Sequence, residues 1–386
     1  MNRQKLHSLI DWCAIILFLF CVFGTTTIPF LWDRVFNIAP FIMFGALGLL
    51  LLNNVSIPEL LRRKDREFFI MAGGVVLSLV NLFLVRSRMG AFFTIADFFL
   101  ILYLADKLHF DRIQLGVIVS VCFLIWLYWQ FINRDIFSSS RFNTNTPPIF
   151  MLAFFCVFIC YFFGLLSRRG RMPGWGYHVI AVVFVLLLGK RAMDFRCRGV
   201  LAALATWVFT YFFLPKHKRT IPLVIGFSLL FAAVYVLLWK TGASTGIIIF
   251  GKRFASGRDR IWYEFFRAFV HHPITGIGSD FAVMLPDLPE RLRIAHNALL
   301  DLLFVHGIPV FLLVLYLMYS QISEMIAVSF GPVRAACLAS VYASLAIGTF
   351  ENIYILSPYN MLFMMIFLMA HTFASRQEVL HEAPNS

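Results

Sequence analysis

Arginine suits a phosphate group well, because its planar guanidinium presents two parallel N–H donors to a pair of oxygens. This chain of 386 residues gathers basic side chains in two places: KRAMDFRCR (190–198) has four, and the stretch 240–297 has eight, out of 33 in all. The first contains Lys190 and Arg191; the second contains Arg258, Arg260, Arg291 and Arg293 and closes on AHN, with His296 and Asn297 directly before a long apolar run. A helix starting there offers unpaired N–H groups and a positive dipole end. Crowding by cations opposes a further positive charge, so a histidine at that point is expected to stay neutral and act as a base. This set suits a reaction in which a hydroxyl loses its proton beside a bound anion.

These residues are set in a very apolar chain. It is 60% hydrophobic and only 14% charged, with mean hydropathy +0.82, against about 25% charged in an ordinary soluble domain. Runs of the ~18–20 apolar residues that cross a bilayer recur throughout, which predicts an all-α, polytopic transmembrane helical bundle. The expected spans are twelve, near 10–31, 35–52, 68–85, 91–105, 113–132, 149–166, 177–189, 199–214, 221–239, 298–320, 334–350 and 359–375. The first reads as a retained span with no cleavage site after a short apolar core. One membrane domain, 1–386, is expected, with a long hydrophilic insertion at 240–297. Six of the seven cysteines fall in apolar spans, and neither a disulfide framework nor a CxxC pair is present.

Basic loops fix the expected orientation. With both termini cytoplasmic, LRRKDRE (61–67), DKLHFDR (106–112), SRRGRMPG (167–174) and PKHKR (215–219) all lie inside. The two basic segments, 190–198 and 240–297, then lie outside, against the positive-inside rule. A long loop can cross whatever its charge, but a loop of nine residues cannot be excused that way, so anion binding is expected of the pair.

The long loop itself has a helical signature. Ile261, Trp262, Phe265, Phe266, Phe269 and Val270 form one stripe, with Arg260, Glu264, Arg267 and His271 opposite. Ser256 or Asp259 is the expected cap, and the helix is expected to lie on the membrane surface with its rings in lipid. His272-Pro273 should end it and Gly276 and Gly278 turn the chain back. The outer loops carry no DxD pair, no HExxH and no His/Cys cluster at ligand spacing. No metal and no cofactor are therefore expected, and arginine is left to neutralise a diphosphate leaving group.

In these residues the chain resembles the O-antigen ligase and O-antigen polymerase superfamily of bacterial inner-membrane glycosyltransferases. The family's ordered pattern is matched by Lys190-Arg191, by Gly257-Arg258 with Trp262, and by His272-Pro273-Ile274-Thr275-Gly276-Ile277-Gly278. It continues in His296-Asn297 and His306-Gly307-Ile308-Pro309, the whole set covering about 180–320. Lys190 stands where members often have Ser or Thr. The resemblance implies transfer of glycan from an undecaprenyl-pyrophosphate-linked donor to a sugar hydroxyl of lipid A–core at the periplasmic face. Arg191 and Arg258 would hold the pyrophosphate, with Lys190, Arg260, Arg291, Arg293 and Asn297 assisting in substrate binding, and His296 would activate the acceptor.

Other readings share these residues. A polymerase would use the same donor site with a lipid-linked repeat unit as acceptor. A lipid-linked-oligosaccharide flippase would also have about twelve spans, and Asp97 is the clearest charge deep in one of them. Arg86 and Arg88 in one outer turn are candidates for phosphate contact, and Glu351 and Asn352 in another for contact with acceptor sugar. Membrane lipid is an expected partner; nucleic acid is not.

Overall fold

A computed structural model describes residues 3–374 apart from 27–28, 86, 109, 132–144, 170–172, 215–216, 243–247, 250–251, 254–256, 290–294, 328–330 and 353–356. The regular structure of the described chain is helical except for one two-residue antiparallel ladder, pairing Ile248 with Arg253 and Ile249 with Lys252. The helices are α1 (Arg3–Thr26), α2 (Pro29–Asn54), α3 (Ile57–Arg63), α4 (Arg66–Leu84), α5 (Met89–Leu104), α6 (Arg112–Phe131) and α7 (Thr146–Arg169). They continue as α8 (Gly174–Asp194), α9 (Arg198–Phe212), α10 (Thr220–Lys240), α11 (Arg258–Phe269), α12 (Phe281–Met284), α13 (Ala298–Ala327), α14 (Pro332–Gly348) and α15 (Ser357–Ala374).

Eight of these, α1, α2, α4, α6, α7, α8, α10 and α13, contain stretches long and apolar enough to cross a membrane. Shorter apolar helices, α5, α9, α14 and part of α15, lie where four more spans were expected. Burial sorts the helices into layers. In α5 and α14 nearly every residue is buried, and the described part of α7 is mostly so, whereas α4, α8 and α10 expose Phe83, Leu186, Leu223 and Phe227. Apolar surface on that scale is stable only against hydrocarbon. The outer helices therefore make the lipid face and the central ones a packed protein core.

Contacts between connections define two ends of the bundle. At one, Asn145 before α7, Cys197 before α9, Arg258, His296 and Glu351 after α14 come together. At the other, Glu67 at the start of α4 meets Lys107 after α5 and Ser320 in the last turns of α13.

Helix α13 is broken. Gly307 has φ 82° and ψ 170°, and Pro309 follows it, so the carbonyls before the break lose their usual i+4 donors. The 272–278 turn supplies donors in their place. Ile277 N–H donates to Phe304 O at 2.8 Å and Gly278 N–H to Val305 O at 3.2 Å, while Ile308 N–H donates to Pro273 O at 2.9 Å. Asn81 of α4 donates to His306 O at 3.0 Å. Irregular backbone is tolerated in a membrane helix only where other protein satisfies it, and here the HPITGIG turn (272–278) and the FVHGIP stretch (304–309) satisfy each other. Gly276 (φ 73°) and Gly307 meet so closely that a Cβ on Gly307 would fall 2.0 Å from Ile274 O.

Candidate functional site

The site is assembled around α11. Gly257, with φ 82°, is the N-cap and makes no side-chain cap bond. Asp259, one of the two expected caps, is buried in the first turn instead, and Ser256, the other, lies outside the described residues. The apolar stripe is present, but its partner differs from expectation. Ile261, Trp262, Phe265 and Phe269 are buried against Ala232 and Tyr235 of α10, Leu300 and Phe304 of α13, and Leu288 and Ala295. Of the six stripe residues only Phe266 and Val270 are exposed. Four of the six stripe residues thus pack on protein; a periodic stripe cannot tell protein from lipid.

That packing sets the chemistry in place. The Trp262 indole N–H donates to Ala295 O, which fixes the residue before His296. His296 has φ 50°, a left-handed conformation uncommon outside glycine and often found where function constrains the backbone. Asn297 Oδ1 accepts from Leu300 N–H at 3.0 Å, and Asn297 is fully buried. It caps α13 through Oδ1, and its Nδ2 is buried without a protein partner.

One carboxylate joins the two ends of this arrangement. Glu351 Oε2 is 3.3 Å from His296 Nδ1, and Glu351 Oε1 accepts from Arg258 Nη2 at 3.4 Å and from Asn145 Nδ2 at 3.4 Å. Arg258 Nη2 also donates to Phe350 O at 2.8 Å, and its Nε is buried without a protein acceptor. Burial alone would push the Glu351 carboxyl upward. The His296 hydrogen bond, the Arg258 charge and the Asn145 hydrogen bond together outweigh burial and hold it below the ordinary carboxylate range. With Nδ1–H donating to an ionised Glu351, Nε2 is the ring nitrogen with a lone pair to accept a hydrogen bond.

The remaining expected residues fall in several places. Arg191 donates to Gln130 O at the end of α6, lies 3.8 Å from Asp194, and stands over the Phe195 ring. Lys190 is exposed and lines an apolar groove of about 490 Å³ between α8 and α9. Arg260 points away from Arg258, is exposed and donates to Asp287 O at 3.4 Å; it is not part of the Glu351 cluster. Arg86, Arg291 and Arg293 lie outside the described residues. Arg88 is exposed, with its backbone N–H on Ser279 Oγ. Asn352 is buried, with Oδ1 unpartnered by protein.

Three residues of the site were not singled out by sequence. Asn145 lies in a polar stretch with no distinguishing pattern. Arg198 opens α9 close enough to Arg258 for the two charges to repel, and Tyr235 of α10 lies near both. Its neighbours confirm the placement: Cys197 Sγ contacts Asn145 O at 3.9 Å, and a Cβ on Gly199 would sit 3.1 Å from Phe350 Cβ. The count of four cations in 190–198 was the available signal for Arg198. Comparison with known protein families and with characterised proteins finds no match for this chain.

Proposed function

We propose that this protein is a metal-independent glycosyltransferase of the O-antigen ligase type, embedded in the bacterial inner membrane with both termini cytoplasmic and its site toward the periplasm. It moves glycan from undecaprenyl pyrophosphate to a sugar hydroxyl of lipid A–core. The observation that carries this reading is the sharing of Glu351 by Arg258 and His296, beside Arg198, at one end of an apolar bundle. Base and anion-binding cations then act on the same few ångströms, as a transfer from a diphosphate requires.

In the proposed reaction the acceptor hydroxyl donates its proton to His296 Nε2 as its oxygen attacks the anomeric carbon. The bond from that carbon to the diphosphate oxygen breaks, and the electron pair leaves with the lipid diphosphate. Arg258 through its unpartnered Nε, Arg198 beside it and Arg191 from the α8 end meet the charge that grows on the leaving group, the role in which preorganised donors contribute most. Glu351 holds the imidazole ring and offsets its positive charge. The lipid tail lies among the outer apolar helices.

The α13 break supports transfer over transport. A transporter's broken helix opens its freed carbonyls to a substrate cavity, whereas here the carbonyls of Phe304 and Val305 are occupied by the 272–278 turn.

The test is the lipopolysaccharide banding pattern of a strain lacking the gene. A ligase predicts loss of all long chains on lipid A–core with lipid-linked polymer accumulating. Single-repeat products would assign polymerisation, and an unchanged pattern would overturn both.

A further inference from the structure

The opposite end of the bundle holds a polar cluster that glycan transfer does not use. Glu67 of α4, Asp106 in the α5–α6 connection and Glu324 of α13 bring one oxygen each within 4.8 Å of the others. Nothing in the spacing of these residues along the chain marks them, because fold alone brings them together. Lys107 Nζ lies 3.3 Å from Glu67 Oε2 and 3.0 Å from Asp106 Oδ2, over the Tyr103 ring. Among these four groups one ammonium faces three carboxylates, and the Glu67 and Asp106 side chains are only 18% and 22% exposed. Surplus negative charge in such surroundings calls for a further cation.

A second observation points the same way. Gln321 is fully buried, and its Nε2 donates to Asp106 Oδ1 at 3.2 Å. The other atom of that amide, Oε1, is buried without a protein partner. The Ser320 hydroxyl, on Glu67, adds another oxygen to the same wall. All the available donors are oxygens, three of them from carboxylates, which is the set preferred by hard divalent cations over zinc or copper.

We propose that Glu67, Asp106, Glu324 and the amide oxygen of Gln321 bind one hard divalent cation of the Mg²⁺, Ca²⁺ or Mn²⁺ class. Lys107 is its competitor: the ammonium supplies part of the charge in the metal-free protein and swings outward when the ion enters. The ligands come from α4, the α5–α6 connection and α13, so the ion ties one end of α13 to two neighbours. His296 lies 28 residues earlier, roughly 40 Å at 1.5 Å per helical residue. The ion therefore has a structural role and takes no part in transfer.

The experiment uses the full chain purified in detergent and stripped with EDTA. Thermal unfolding is followed in MgCl₂, CaCl₂, MnCl₂ or NaCl at matched ionic strength, and bound Mn²⁺ is counted by EPR. A saturable rise in the midpoint with at least one divalent ion is expected, and none with sodium. About one Mn²⁺ per chain should bind. Both effects should be lost in Asp106→Asn and in Glu324→Gln, the latter an exposed position where the fold tolerates exchange. Lys107→Ala should lower the half-saturating concentration severalfold, because it removes the competitor. Three results would overturn the proposal: no bound Mn²⁺ and no shift in the wild type, equal effects in wild type and both carboxamide variants, or loss of binding in Lys107→Ala.

Discussion

Replacing Gly307 with alanine probes how α11 is held against α13. The residue sits at φ 82° and ψ 170°, a region that only glycine enters freely, and strain there costs about 1–3 kcal/mol. The new Cβ would also lie 2.0 Å from Ile274 O and 2.9 Å from Gly276 N. These are backbone atoms, so the turn must move as a unit. Moving it breaks the three hydrogen bonds between 273–278 and 304–308, at about 0.5–1.5 kcal/mol each. The total is roughly 2.5–7.5 kcal/mol. Gly242 is the control, with φ 70° and nothing within 4 Å of a built Cβ, so Gly242→Ala carries only the left-handed strain of about 1–2 kcal/mol. The assay is thermal unfolding in detergent paired with glycan transfer. Gly307→Ala should lower the midpoint several times further than Gly242→Ala. It should also lose on the order of 10²-fold in transfer, the loss typical of a 1 Å displacement of catalytic groups. Equal effects at both positions would refute the docking argument.

Other consequences follow from the Glu351 cluster and the topology. Glu351→Gln keeps shape but removes the charge opposite His296, so transfer should fall by roughly 10–10³-fold with donor binding nearly retained. The folded-state value of Glu351 is depressed, so its charge stabilises the fold above the ordinary carboxylate range and is lost as pH falls through the folded value. The difference in thermal midpoint between wild type and Glu351→Gln should therefore shrink in acid; a constant difference would contradict the assigned ionisation. Arg258→Lys and Arg191→Lys keep charge but lose the bidentate fork, and each should cost at least roughly tenfold in kcat/KM at normal insertion. Full activity in both would confine these arginines to structural roles. A cysteine at the exposed Asp287 should react with an impermeant reagent in spheroplasts and one at Lys218 should not; the reverse would invert the topology.

The apolar helices were legible in the sequence because membrane spans announce themselves by length. The expected spans 149–166 and 221–239 became Thr146–Arg169 and Thr220–Lys240. The sequence reading grouped Arg260 with Arg258 in substrate binding, although neighbours two apart on a helix point roughly 200° away from each other; the structure puts Arg260 on Asp287 instead. What periodicity could not give was the partner of each face: the α11 stripe fits protein and lipid equally well. Nor could spacing reveal Asn145 and Glu351, which meet across 206 residues of chain. The HPITGIG and HGIP fragments were visible separately, but only folding shows that the glycines of one exist to admit the backbone of the other.

The central claim is that His296 is the base of a transfer from a lipid diphosphate without metal help. Its most direct test is a reconstituted assay with purified protein, a polyprenyl-pyrophosphate-linked glycan and lipid A–core, run in excess EDTA below the unfolding midpoint. Wild type should form the glycosylated acceptor and release lipid diphosphate at an undiminished rate. His296→Gln, which keeps hydrogen bonding but takes no proton, should bind the donor and turn over roughly 10²–10⁴-fold more slowly. Turnover by His296→Gln at the wild-type rate, or wild-type activity that EDTA abolishes and Mg²⁺ restores, would contradict the account.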